Sequence, residues 1–332
     1  MFKKTILATL LLLAACTSSN SDEKTVVNNI ESVAQKNEVT FDENDPLAYL
    51  EKAIEHIKQK EFQQAEAVAQ KAYLMDSLNP SVLLAYGNVF YLRNKTRVSR
   101  DSWEACTQLD PDQIECRMKL AELYLTVGEL KLCLTQLDEV LKRDKDNYLA
   151  NFIAGNAYLL RKDTTKAIRY VQRSIEYNAD YSKSHDLLGV LYAAKGNDLA
   201  IDYYKNAASL DPSNADIYYK LGLYYQQKER FVDAVASYGQ AIQLNPQDGK
   251  SFYNLGYVNV AVGNYDKAVE HFSNAISINS TNIEAYFGKA YAFEMMGDLN
   301  KSGENYRACL MMKPSYVPAM DGLERLKVIQ KH

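Results

Sequence analysis

Histidine is scarce in this chain, with four copies in 332 residues. His56, His185 and His271 stand far apart, and none has a second ligand at catalytic or metal-binding spacing. A nucleotide-binding glycine loop, a Ser or Cys nucleophile elbow and a His/Cys metal pattern are also missing. Carboxylates are scattered rather than paired. These absences exclude the common enzyme classes, so the chain is read as non-catalytic, with no cofactor and no metal. A basic excess is lacking too: 38 Lys and Arg face 42 Asp and Glu, for a formal charge of −4. Phosphate binding needs a basic field, so nucleic acid is excluded as the main partner. The one marked apolar run, Ile6–Leu13, is too short to span a bilayer as a permanent helix. Tryptophan occurs once, against 25 tyrosines.

What is present is a repeat. Residues 215–248 and 249–282 spell nearly the same sentence, and a step of 34 residues pairs Gly222 with Gly256, Ala234 with Ala268 and Tyr238 with Phe272. It also pairs Ala241 with Ala275. Such a period, with helical hydrophobic spacing inside it, marks a stacked-repeat protein. Extended in both directions, the step finds a small residue at Ala53, Gly87, Ala121, Gly155, Gly189, Gly222, Gly256 and Ala290. One interval, Gly189 to Gly222, is 33, and the missing residue falls in the turn after Gly196. Three residues after each small residue stands a ring, except at His56 and Asn259.

The pattern resembles the tetratricopeptide repeat: a small residue and a ring in a first helix, then Ala, an aromatic and a second small residue in the next. The copies are 46–79, 80–113, 114–147, 148–181, 182–214, 215–248, 249–282 and 283–316, with 317–332 as a capping helix and tail. The resemblance implies an all-α fold, a right-handed superhelical solenoid of about eight helix pairs plus the cap. Glycine followed by a polar residue, as at Gly128-Glu129, Gly196-Asn197, Gly263-Asn264 and Gly297-Asp298, predicts a left-handed helix stop and a cap for the second helix.

The N-terminus reads as a leader. Lys3 and Lys4 precede the apolar run, and Leu13-Ala14-Ala15-Cys16 resembles a bacterial lipobox. That resemblance implies cleavage after residue 15, acylation of Cys16 and a membrane anchor. Loss of Lys3 and Lys4 takes the formal charge from −4 to −6. Thr17 follows Cys16 where Asp would mark inner-membrane retention, so the expected address is the outer membrane, on its periplasmic face. Residues 16–45 form a polar tether with a reach of roughly 30 Å.

In tetratricopeptide arrays the first helices line a concave groove for a peptide or helix. The helix period selects the residues three before the small position, one after it, and four and five beyond. In the C-terminal half these are Tyr219, Leu223, Gln226, Gln227, Tyr253, Tyr257, Phe287, Tyr291 and Glu294. In the N-terminal half they are Leu84, Asn88, Tyr91, Met118, Glu122, Phe152, Asn156 and Leu159. Leu84 and Phe152 stand where a carboxylate clamp needs Lys, which excludes that mode. Asn259 has two readings, a partner contact or a bond within the helix layer.

Two further features stay open. Arg93, Lys95, Arg97 and Arg100 cluster at the turn of the second repeat, either as an anionic-lipid contact or as a solvated turn. Cys106, Cys133 and Cys309 occupy alanine slots and read as small buried thiols. Cys116 has no such slot and stands across a turn from Cys106, so a disulfide between them is the alternative. The expected role is a lipid-anchored scaffold binding a protein or peptide in the groove for envelope assembly, secretion or pilus biogenesis. Capture of a glycan, and recruitment of a cell-wall hydrolase, are the competing roles.

Overall fold

The computed structural model describes residues 42–330. The leader, Cys16 and nearly all of the tether lie outside the described residues. Within them there are seventeen α-helices and no strand. They come in antiparallel pairs: α1 (Pro46–Lys58) with α2 (Phe62–Met75), α3 (Pro80–Leu92) with α4 (Thr96–Leu109), and α5 (Ile114–Thr126) with α6 (Leu130–Arg143). Next come α7 (Tyr148–Leu160) with α8 (Thr164–Tyr177) and α9 (Ser182–Ala194) with α10 (Leu199–Leu210). The last pairs are α11 (Ala215–Gln227) with α12 (Phe231–Leu244), α13 (Gly249–Ala261) with α14 (Tyr265–Ile278), and α15 (Ile283–Met295) with α16 (Leu299–Met312). A single helix, α17 (Val317–Ile329), follows. Contacts divide the chain into two compact units within α9, one up to Leu187 and one from Leu188.

Local chemistry sets where these helices start. Asp45, Asn79, Asn147, Asn214, Asp248 and Asn282 each accept a hydrogen bond from an amide in the first turn of the following first helix. Each satisfies one donor that the helix itself leaves unpaired. Pro46 and Pro80 add a fixed φ at the first helical position.

Every first helix ends in the same turn. Lys60, Asn94, Gly128, Lys162, Gly196, Glu229, Gly263 and Gly297 all have φ between 56° and 82°. The amide of the next residue donates back to the carbonyl three beyond the small position, as Glu129 does to Tyr124 and Arg230 to Tyr225. Sequence reading found this stop only where glycine marks it. Lys60, Lys162 and Glu229 adopt it at a cost of about 1–2 kcal/mol each, because the shared turn leaves no other geometry. The cap expected after it is made by Asp298, and also by Asp163, each accepting from an amide three residues on. Asn197 accepts from Leu199. Glu129 and Asn264 make no side-chain cap bond. In the fifth pair the turn, residues 195–198, is one residue longer than in the other pairs rather than shorter, and α10 has 12 residues where the other second helices have 14, so the missing residue comes out of the start of α10 and not out of the turn.

Packing within a pair rests on one contact. A ring of the second helix lies against the small residue of the first: Trp103 under Gly87, Tyr204 under Gly189, Tyr238 under Gly222 and Phe272 under Gly256. Trp103, Tyr204 and Tyr238 are at most 1% exposed. In α17, Gly322 meets Tyr306 in the same way. Val171 takes the ring's place beside Gly155.

The cysteines correct the sequence reading in part. Cys106 in α4 and Cys116 in α5 form a disulfide, with Cα atoms 6.3 Å apart, and both are fully buried. The alanine slot of Cys106 faces the first turn of α5, where Cys116 points back at it. Cys133 and Cys309 are buried free thiols, as expected. Burial raises them to about 12 and about 11.

The small-residue contact is testable by adding one methyl group. At Gly222 a Cβ would stand 2.7 Å from the Tyr238 ring. Overpacking of that kind costs about 1–3 kcal/mol, more than the roughly 0.5–1 kcal/mol an alanine contributes inside a helix. Gly239, in α12, has nothing within 4 Å of its Cβ direction. Gly222→Ala is therefore expected to lower the urea midpoint and Gly239→Ala to raise it.

Candidate partner-binding face

In the C-terminal unit the face carried by α11, α13 and α15 is built on rings. Tyr219, Tyr253 and Phe287 each stand three residues before the small position. Each leans on the ring of its own second helix: Tyr219 on Tyr238 at 6.0 Å, Tyr253 on Phe272 at 5.8 Å, Phe287 on Tyr306 at 5.7 Å. The interplanar angles run from 48° to 54°. One ring face is thus fixed by the core while the other edge reaches the surface, and all three residues are half-buried. Tilted pairs at this distance hold orientation beyond what buried area supplies. Phe287 also meets Tyr316 edge-on at 6.0 Å. Leu223 and Tyr291 are half-buried, Gln227 is exposed, and Tyr257 is 47% exposed.

Two expected groove residues turn inward. Gln226 accepts from the Tyr238 hydroxyl at 2.7 Å. Glu294 accepts from the Tyr306 hydroxyl at 2.6 Å and from Arg325 of α17 at 2.9 and 3.0 Å. Both occupy the position four beyond the small residue, directly over the second-helix ring, so a tyrosine there claims them. Asn259 is settled the same way: it is buried, and its amide donates to the Leu255 carbonyl of its own helix at 2.8 Å.

The N-terminal unit presents a more closed face. Met118 and Leu159 are buried and offer little surface, which corrects their assignment to the groove. Met118 joins the apolar cluster around Trp103, Leu120 and Leu137. Leu84 is half-buried, and its carbonyl accepts from Trp103 Nε1 at 3.2 Å. Tyr91 lies 5.6 Å from Trp103, and Phe152 meets Tyr181 edge-on at 5.2 Å. Glu122 pairs with Lys119 at 2.9 Å, and Asn156 donates to the Phe152 carbonyl at 3.1 Å. Asn88 is half-buried, with an enclosed Oδ1 that has no partner among the described residues.

The basic cluster is neutralised rather than free. Lys95 and Arg93 approach Glu66 at 2.6 and 3.5 Å, with Arg93 also 3.9 Å from the Phe62 ring. Arg100 meets Asp101 at 2.7 Å, and Arg97 approaches it at 3.8 Å. The solvated-turn reading fits this pairing. Sequence reasoning missed Lys250 and Glu284, six before Gly256 and Ala290 and both exposed. Carrying the helix period one turn further toward the N-terminus finds them, because −6, −3 and +1 share one stripe.

Family models for the tetratricopeptide repeat match residues 118–182, 215–248, 237–270 and 283–316, and a TPR repeat model matches 197–229 and 260–297. Together they cover more than half of the chain. It is a tetratricopeptide repeat protein. Among curated proteins it is similar to BBSome complex member BBS4 of Bos taurus, 23% identical over 185 residues, 54% of this chain and 34% of that one. It is also similar to DnaJ homolog subfamily C member 3 of Gallus gallus, 28% identical over 103 residues, 31% of this chain and 20% of that protein. The tetratricopeptide chain thus spans about a third or less of these relatives. Among solved structures, the C-terminal part of a repeat protein from Cytophaga hutchinsonii aligns with a TM-score of 0.62 at 17% identity, covering 72% of this chain and 99% of that one. YrrB, described as a TPR protein with an unusual peptide-binding site, aligns with a TM-score of 0.52 at 16% identity, covering 57% and 97%. These likenesses concern the fold.

The rings of this repeat face also titrate late. Burial raises the Tyr219 and Tyr253 hydroxyls from 10.0 to about 12. The folded state therefore prefers the neutral phenol. The stabilisation is complete below pH 10 and is lost as pH rises toward about 12. A near-ultraviolet titration is expected to show tyrosinate forming in at least two steps. The late step should lose the amplitude of two tyrosines in Tyr219→Phe/Tyr253→Phe, the rest staying with Tyr124, Tyr238 and Tyr306, whose hydroxyls burial also raises, and the alkaline loss of stability should weaken.

Proposed function

We propose that this tetratricopeptide chain is a non-catalytic scaffold, lipid-anchored through Cys16, that binds a protein or peptide partner on the first-helix face of its C-terminal unit. The row Tyr253, Tyr257, Phe287 and Tyr291 carries the proposal. Its −3 rings are held by second-helix rings before any partner arrives, so little side-chain entropy is spent on ordering them. Tyr257 and Tyr291 stand beside them with hydroxyls for backbone groups. Rings with a polar tip suit a surface that is wet when free and buried when bound. YrrB, a TPR protein with a peptide-binding site, and BBS4, a complex member, are compatible with such a role.

The proposed address is the periplasmic face of a bacterial outer membrane, in envelope assembly, secretion or pilus biogenesis. Support comes from the lipobox around Cys16 and from the Cys106–Cys116 disulfide, since such bonds persist in oxidising compartments outside the cytosol. Neither observation names the pathway.

Two experiments test this. Metabolic labelling with a radioactive fatty acid should mark the protein and fail in Cys16→Ser; label retained in the variant would remove the anchor. Separately, native protein and Tyr257→Ala/Tyr291→Ala would be used to capture partners from detergent-solubilised envelopes, after matching thermal melts. Loss of the captured proteins by about tenfold is expected. The same partners at undiminished yield would move the contact to another surface.

A further inference from the structure

The ring face of the C-terminal unit carries charge as well as rings. The position six before the small residue is Asp216 in α11, Lys250 in α13 and Glu284 in α15. Asp216 is held by Lys220 at 2.6 Å. Lys250 and Glu284 are exposed and form no ion pair among the described residues.

Glu284 sits in the first turn of α15, where a carboxylate meets the positive end of the helix. That accounts for its charge but not for its surroundings. Phe287 stands three residues on, so both side chains share one face of α15. Phe287 meets Tyr316, from the turn before α17, edge-on at 6.0 Å. Tyr253 comes in from α13. Burial raises the Tyr253 and Tyr316 hydroxyls, and the charge of Glu284 raises both further. The carboxylate is therefore within electrostatic reach of both rings. Tyr253, Phe287 and Tyr316 are all half-buried. Tyr253 and Phe287 are fixed from behind by Phe272 and Tyr306, so this corner is ordered before any ligand arrives. Lys313 stands 6.0 Å from the Tyr316 ring without pairing with Glu284.

We infer that this corner receives an arginine side chain of the bound segment, its guanidinium paired with Glu284 and stacked among Tyr253, Phe287 and Tyr316. The inference rests on the ring face proposed above and states the chemistry of its partner. A ring attracts a cation within about 6 Å of its centre. A carboxylate at the same place adds a charge-assisted hydrogen bond. A guanidinium is flat and less tightly hydrated than an ammonium, so it can stack and pair at once. Lys250 repels a base one helix earlier, which directs the arginine to α15. An acidic side chain is refused at Glu284, the opposite of what a carboxylate clamp selects.

The test uses the mature full chain carrying Cys16→Ser, with phage-displayed random heptapeptides as the probe. Selection is run in parallel on this parent and on Tyr257→Ala/Tyr291→Ala. Peptides selected on the parent are expected to carry an arginine beside apolar residues. A synthetic copy of the leading peptide should bind Glu284→Gln about tenfold more weakly than the parent. Replacing the peptide's arginine by alanine should cost the same factor on the parent and nothing further on Glu284→Gln. Glu284 is exposed, and matching melts verify that the variant folds. Peptides that need Tyr257 and Tyr291 but hold no arginine, or that bind Glu284→Gln as tightly as the parent, would overturn the inference and leave the ring face standing. Recovery on the parent no better than on Tyr257→Ala/Tyr291→Ala would overturn both.

Discussion

In four of the eight helix pairs, and again where α17 meets α16, a flat ring lies against a glycine, and the rest of the C-terminal unit is arranged around that contact. The glycine contributes no bulk at the crossing and the ring contributes a plate, so the two helices approach closely. Trp103, Tyr204, Tyr238, Phe272 and Tyr306 supply the plates and Gly87, Gly189, Gly222, Gly256 and Gly322 the vacancies. Once the plate is buried, its outer edge becomes the seat for the ring three residues earlier in the first helix. The hydroxyls of Tyr238 and Tyr306 become donors for the residue four beyond the small position, Gln226 and Glu294. The surface row is thus a second layer of the core rather than a decoration on it.

That dependence explains why the two units differ. In the C-terminal unit the seats are filled by Tyr219, Tyr253 and Phe287, and rings reach the surface. In the N-terminal unit Leu84 and Met118 fill two of the same seats, and Met118 sinks into the cluster around Trp103. Met118, unbranched and flexible, follows the apolar gradient inward, while Leu84 stays half-buried.

The period, the small residues and the plates were legible in the sequence, because each is fixed by sterics inside one helix pair. The turn was legible only where glycine advertises it. At Lys60, Lys162 and Glu229 the geometry is imposed by the neighbouring helices and leaves no mark in the residue type. The face was legible as a stripe but not in its depth. Gln226 and Glu294 sit on the right side of their helices, yet a tyrosine hydroxyl from the partner helix takes their oxygens. The Cys106–Cys116 bond was one of two readings, because spacing alone does not say which way Cys116 points. The corner around Glu284 draws on α13, α15 and the turn before α17 at once and has no local signature.

The disulfide has a mechanical meaning. In a stacked array each repeat is held mainly by its neighbours, so an end frays more easily than the middle. The second repeat, with Ser99 in the alanine slot, is covalently tied to the third through Cys106 and Cys116. Thermal fraying from the N-terminal side can release α1 to α3 while the end of α4 stays tethered to α5, so the second repeat never strays far from the surface on which it re-docks. Tension along the chain would instead pass through the bond into α5, leaving only the short segment between Cys106 and Cys116 unloaded.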